Sequence, residues 1–167
     1  MKKTIYRLLI LSLILLNTSC PFYGGNDGFI QTSAYEPVIL EREAFENSTE
    51  LVENQSIETS GKIYVKDNYL IINEPKKGFH IYDNTNPENP TKIKFLRVLG
   101  SSDLSIKGNM IYANNARDLI ALSIDEDFKN VTVTKRVRNV FPELLSPDGF
   151  YADKSDSQVI IDWKLKN

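Results

Sequence analysis

Between Gly61 and Val137 short apolar runs alternate with polar turn signals, and the same arrangement is written twice. Lys62-Ile63-Tyr64-Val65-Lys66 alternates with a period of two, which predicts a strand with Ile63 and Val65 on one face. Asp67-Asn68 is a two-residue hairpin signal. Tyr69-Leu70-Ile71-Ile72 is continuously apolar and predicts a strand covered on both faces. Glu74 to Gly78 reads as a loop, Phe79 to Asp83 as a third strand, and Asn84 to Pro90 as a proline-punctuated corner. Lys92 to Val98 is the fourth strand. At an offset of 41 residues Val65-Lys66 falls on Ile106-Lys107, Leu70 on Ile111 and Asn73 on Asn114. The second copy predicts strands at Leu104–Ile106, Met110–Ala113, Leu119–Ile124 and Val131–Thr134. A period of about 40–45 residues with about four strands is the size of one β-propeller blade. The predicted class is all-β: two four-stranded antiparallel blade-like sheets, blade 61–99 and blade 100–138, with an extra strand at 158–163.

The residues Gly78-Phe79-His80-Ile81-Tyr82-Asp83, followed by Asn84-Thr85-Asn86-Pro87-Glu88-Asn89-Pro90, resemble an LVIVD-type repeat. With Gly61-Lys62-Ile63-Tyr64 before it and Val140-Phe141-Pro142 after, the chain from Tyr35 to Trp163 resembles uncharacterised LVIVD-repeat lipoproteins of Bacteroidetes-type bacteria. The second copy departs from the motif, with Leu119 set against Gly78 and no proline at its corner. The resemblance implies a propeller-like fold and transfers no catalytic residue. Propellers close with about four to eight blades, and two blades and a strand do not suffice. Three readings stay open: a truncated form of a longer propeller, two sheets packed as a small sandwich, or completion by association.

The amino terminus reads as targeting. Lys2, Lys3 and Arg7 precede the apolar run Leu8–Leu16, which falls short of the about 20 residues a spanning helix needs. Thr18-Ser19 then precede Cys20, the single cysteine, in the manner of a lipobox, although Asn17 stands where such boxes usually carry leucine. The expectation is a lipoprotein signal peptide over 1–20, lipidation at Cys20, and a tether over 21–60 with short local structure: an extended piece at Tyr35–Leu40 and a short helix within Glu41–Leu51. Cleavage by ordinary signal peptidase and an uncleaved anchor are the alternatives.

A formal net charge of -2 without a basic stripe argues against nucleic acid, which requires a positive face. Lys135-Arg136-Val137-Arg138, the longest basic run, reads as a solvated strand edge. His80, the single histidine, has no second histidine or cysteine for a shared metal, and reads as a strand histidine packed on or near the surface. Asp125-Glu126-Asp127 reads as turn acids, and Asp83 and Asp125 as acceptors for the amides of the turns that follow them. Tyr64, Tyr69, Tyr82, Tyr112 and Trp163 read as cross-strand packing, with a carbohydrate platform as the functional alternative. His80, Tyr82 and Tyr112 are the candidate ligand-facing residues; no catalytic group, metal ligand or cofactor is expected. These readings lead to a lipid-anchored envelope protein, on the outer membrane of a bacterium, that holds an envelope protein partner as an interaction or scaffolding module without catalysis. The alternatives are a glycan- or ligand-binding lipoprotein and a truncated propeller hydrolase or lyase.

Overall fold

A computed structural model describes residues 32–125 and 127–167 of the chain; the signal peptide and Cys20 lie outside the described residues. Among the described residues eleven strands and one short helix follow in the order β1 (Tyr35–Glu41), α1 (Arg42–Asn47), β2 (Glu50–Glu53), β3 (Ile63–Lys66), β4 (Tyr69–Glu74), β5 (Gly78–Asp83), β6 (Thr91–Arg97), β7 (Leu104–Lys107), β8 (Met110–Asn115), β9 (Asp118–Ile124), β10 (Val131–Val137) and β11 (Gln158–Leu165). The fold is all-β, with antiparallel pairing throughout.

The predicted meanders are present. β7 to β10 form a four-stranded sheet in chain order. β3 to β6 do the same and gain β2 on the outside of β6, so the first sheet has five strands where four were expected. The added strand comes from the stretch read as tether. The short helix expected within Glu41–Leu51 is α1, and it stops at Asn47, where the amide and the hydroxyl of Ser48 both donate to the Phe45 carbonyl. Leu51 then pairs with Leu96 and packs on the main core. Burial at the sheet edge outweighs the weak helix propensity of a short segment.

Register defines the faces, because directly opposed residues point the same way. On the inner face of the first sheet, Ile71, Phe79, Ile81 and Leu96 pack against Leu104, Ile111, Ala113, Ile120 and Leu122 of the second. Burying each leucine, isoleucine or phenylalanine among them contributes about 1.5–3 kcal/mol. The outer face of the first sheet carries Ile63, Val65, Leu70, Ile72, His80, Tyr82 and Phe95. The outer face of β4 is covered only in part, contrary to the reading of its apolar run: Ile71 on the inner face is buried, whereas on the outer face Leu70 and Ile72 are half-buried and only Glu74, at the end of the strand, is buried.

The hairpin between β4 and β5 has three loop residues, and the one between β8 and β9 has two, Ala116 and Arg117. Asp118, and not Leu119, therefore stands in the place of Gly78, since Gly78 pairs with Glu74 and Asp118 with Asn115. Gly78 is required where it stands: φ is +149° and a Cβ there would lie 2.1 Å from the Leu96 carbonyl oxygen.

The expected extra strand, β11, pairs with β1 as a separate two-stranded sheet. Pro37 is tolerated because β1 has a partner on one side only. Phe45 of α1 is fully buried with Val159, Ile161 and Ala116, and this second core ties 35–47 to the rest. Much of the stretch read as tether is thus structural.

Candidate functional site

A cavity of about 630 Å³ lies on the outer face of the second sheet. Tyr112 of β8 and Leu119 of β9 form its floor, on the face opposite Ile111 and Ile120. The segment 141–145 forms its wall. Phe141 donates its amide to the Arg117 carbonyl at 2.9 Å, and the Trp163 indole donates to the Leu144 carbonyl at 3.0 Å. Glu143 Oε2 accepts from Arg117 Nη1 at 2.8 Å and is paired with Lys154 at 3.4 Å. The wall is therefore held both by the sheet and by β11. Phe141 and Leu145 remain 37% and 38% exposed, so apolar surface is left at the mouth.

The near rim is built by Asn114. Its Oδ1 accepts the amides of Ser102 and Asp103 at 2.9 and 3.1 Å, and its Nδ2 donates to the Gly100 carbonyl at 3.1 Å. This holds Asp103 where it accepts from the Tyr64 hydroxyl at 2.5 Å and from Lys62. Burial, followed by the hydrogen bond to Asp103, pushes the Tyr64 hydroxyl up to about 12. Lys62, followed by Tyr64, holds the Asp103 carboxyl below its ordinary value. The rim of the cavity is thus also the tie between the two sheets.

The three candidate ligand-facing residues are separated. Tyr112 lines the cavity and is 38% exposed. Tyr82 lies half-buried on the outer face of the first sheet. His80 is not near the surface: it is 2% exposed, its ring lies 4.7 Å from that of Phe95, and its Nε2 is 2.5 Å from Glu74 Oε2. Glu74, read as the start of a loop, closes β4 and is buried. Burial raises the Glu74 carboxyl, but the hydrogen bonds from His80 and Lys77 outweigh it and hold the group below its ordinary value. The five aromatics do not share a face: Tyr64 and Tyr69 pack between the sheets, and Trp163 is buried on β11.

The buried Asp118 has two partly buried arginine partners. Its Oδ2 accepts from Arg42 Nη1 at 2.7 Å and from Arg136 Nη1 at 3.0 Å, and its Oδ1 accepts the Asn139 amide at 3.1 Å. Both guanidinium groups lie over the Phe45 ring, at 5.6 and 5.4 Å. Arg136, read as part of a solvated edge, is therefore a core-facing residue. A bulge between Val133 and Lys135 shifts the register of β10 against β9 just before it.

The turn acids are placed as expected. Asp83 Oδ1 accepts the Thr85 amide at 2.8 Å, and Asp125 Oδ1 accepts the Lys129 amide at 2.6 Å. Among the described residues no three His, Cys, Asp or Glu side chains converge to hold a metal, and no helix is long and apolar enough to cross a membrane. The chain matches no known protein family, no curated protein and no solved structure.

Proposed function

We propose that this protein is a lipid-anchored envelope module that binds another protein and performs no chemistry, with its two sheets acting as successive propeller-type blades. The supporting observation is the cavity on the outer face of the second sheet: its floor and wall are apolar and ordered, and no sheet covers them. An apolar concavity with a polar rim is the usual form of a binding site. The sequence around Cys20 supplies the anchor in this reading.

A photo-crosslinking residue at Tyr112, compared with one at the exposed Lys129, tests it in cells. Protein adducts specific to position 112, together with lipid labelling lost in Cys20→Ser, are expected. A purified chain with reproducible hydrolase or lyase turnover on envelope glycans overturns it. A second reading, a small-ligand site in the same cavity, is favoured by the exposed Tyr112 ring at its floor.

A further inference from the structure

The two sheets are related by the sequence repeat, and so are their faces. Ile63, Val65, Leu70 and Ile72 on the outer face of the first sheet correspond, 41 residues on, to Leu104, Ile106, Ile111 and Ala113 on the inner face of the second. Leu104, Ile111 and Ala113 are buried, and Ile106 is packed against the same core. Their first-copy counterparts are not: Ile63 is 62% and Val65 67% exposed. Conversely Ile71, Phe79 and Ile81, on the inner face of the first sheet, correspond by register to Tyr112, Leu119 and Ala121 on the outer face of the second. The molecule therefore presents, at its two ends, both halves of the contact that it makes internally.

The connection 54–62 runs from β2 at one edge of the first sheet to β3 at the other, held by Lys92 Nζ on the Gln55 carbonyl at 3.2 Å and by Lys77 on Glu58 at 2.5 Å. It leaves Ile63 and Val65 uncovered at the β3 edge. Two exposed β-branched side chains on one short edge strand are a surface that soluble chains normally blunt.

We infer that the occupant of the cavity is a second copy of this chain, whose Ile63–Val65 corner enters between Tyr112, Leu119 and Leu145. The inference rests on the binding-module reading above and names its partner. The contact continues the internal one, sheet on sheet, and is heterologous, so it repeats from copy to copy and gives a ring where the rotation between copies closes. Blades of this kind close at about four to eight, which corresponds to about two to four copies.

The test uses the full chain with Cys20→Ser. Val65→Cys and Tyr112→Cys are placed in separately tagged chains, mixed, and treated with a short bis-maleimide. The expected product joins one Val65→Cys chain to one Tyr112→Cys chain, at least tenfold over either self-linked product, and sedimentation of the Cys20→Ser chain shows an oligomer that Val65→Asp reduces to monomer. Because Val65 is exposed, that substitution leaves the fold intact, as circular dichroism checks. Self-linked products alone, equal yields of all three, or a monomer throughout overturns the inference. If Tyr112 photo-adducts with other proteins persist while no mixed product forms, the binding-module reading stands and the second copy is excluded as its partner.

Discussion

His80 Nε2 lies 2.5 Å from Glu74 Oε2, with both side chains buried on the outer face of the first sheet. The other carboxylate oxygen takes Lys77 Nζ at 3.0 Å, and Lys77 also holds Glu58. The buried carboxylate thus joins the β4–β5 hairpin to the connection between β2 and β3.

Glu74→Ala leaves His80 buried without its partner. Leaving a buried hydrogen-bonding group without its partner costs about 1–3 kcal/mol, to be read from urea unfolding at neutral pH. The Glu74 carboxyl is held below its ordinary value in the fold. Its contribution is therefore present above the unfolded value, about 4.3, and is lost as pH falls through the lower folded value. Glu74→Gln flattens the acid limb of the stability profile; an unchanged limb refutes the assignment.

Tyr64→Phe removes the hydroxyl bound to Asp103 and weakens the tie between the sheets by about 1 kcal/mol. The hydroxyl is pushed up to about 12. Its contribution is complete below the unfolded value, about 10, and disappears as pH rises through the folded one. An absorbance titration of tyrosinate in the native protein loses its latest-ionising component in the variant.

Gly78→Ala and Gly108→Ala separate contact from conformation. Gly78 has both a disallowed Cβ contact, 2.1 Å from the Leu96 carbonyl, and φ of +149°; Gly108 has φ of +56° and open space around it. Gly108→Ala costs about 1–2 kcal/mol, the left-handed penalty alone. Gly78→Ala costs more than that, and equal midpoints in denaturant melts count against the crowding.

Asp148 anchors the start of β1. Ser146 first, followed after the opposing effect of burial by the Ala34 amide and the Ser33 hydroxyl, holds its carboxyl at about 2. The depressed value means that the tie persists as pH falls to about 2 and is lost below it. Asp148→Ala speeds hydrogen exchange at Tyr35–Glu41 while exchange in β8 and β9 stays as it was.

The strand pattern was legible because each strand keeps its period and each turn its chemistry. Asp67-Asn68, the Asp83 turn and the Pro147-Asp148-Gly149 turn stand where composition places them, since each depends on neighbours in sequence. Glu74 and His80 were not legible as a pair. Glu74 adjoins a proline and two lysines that read as loop, and its partner His80 lies across the hairpin, which no local pattern shows. Arg136 was hidden in the same way, because a bulge decides where it reaches.

The sequence by itself determined the all-β class, the doubled meander and the apolar positions, because alternation and turn residues act within a few positions of each other. Only the tertiary structure decided which of the two faces of each sheet is covered. A period-two pattern shows that a face is apolar but not what lies against it. Ile63 and Leu104 read alike in sequence; packing of one sheet on the next leaves the first 62% exposed and the second 8%.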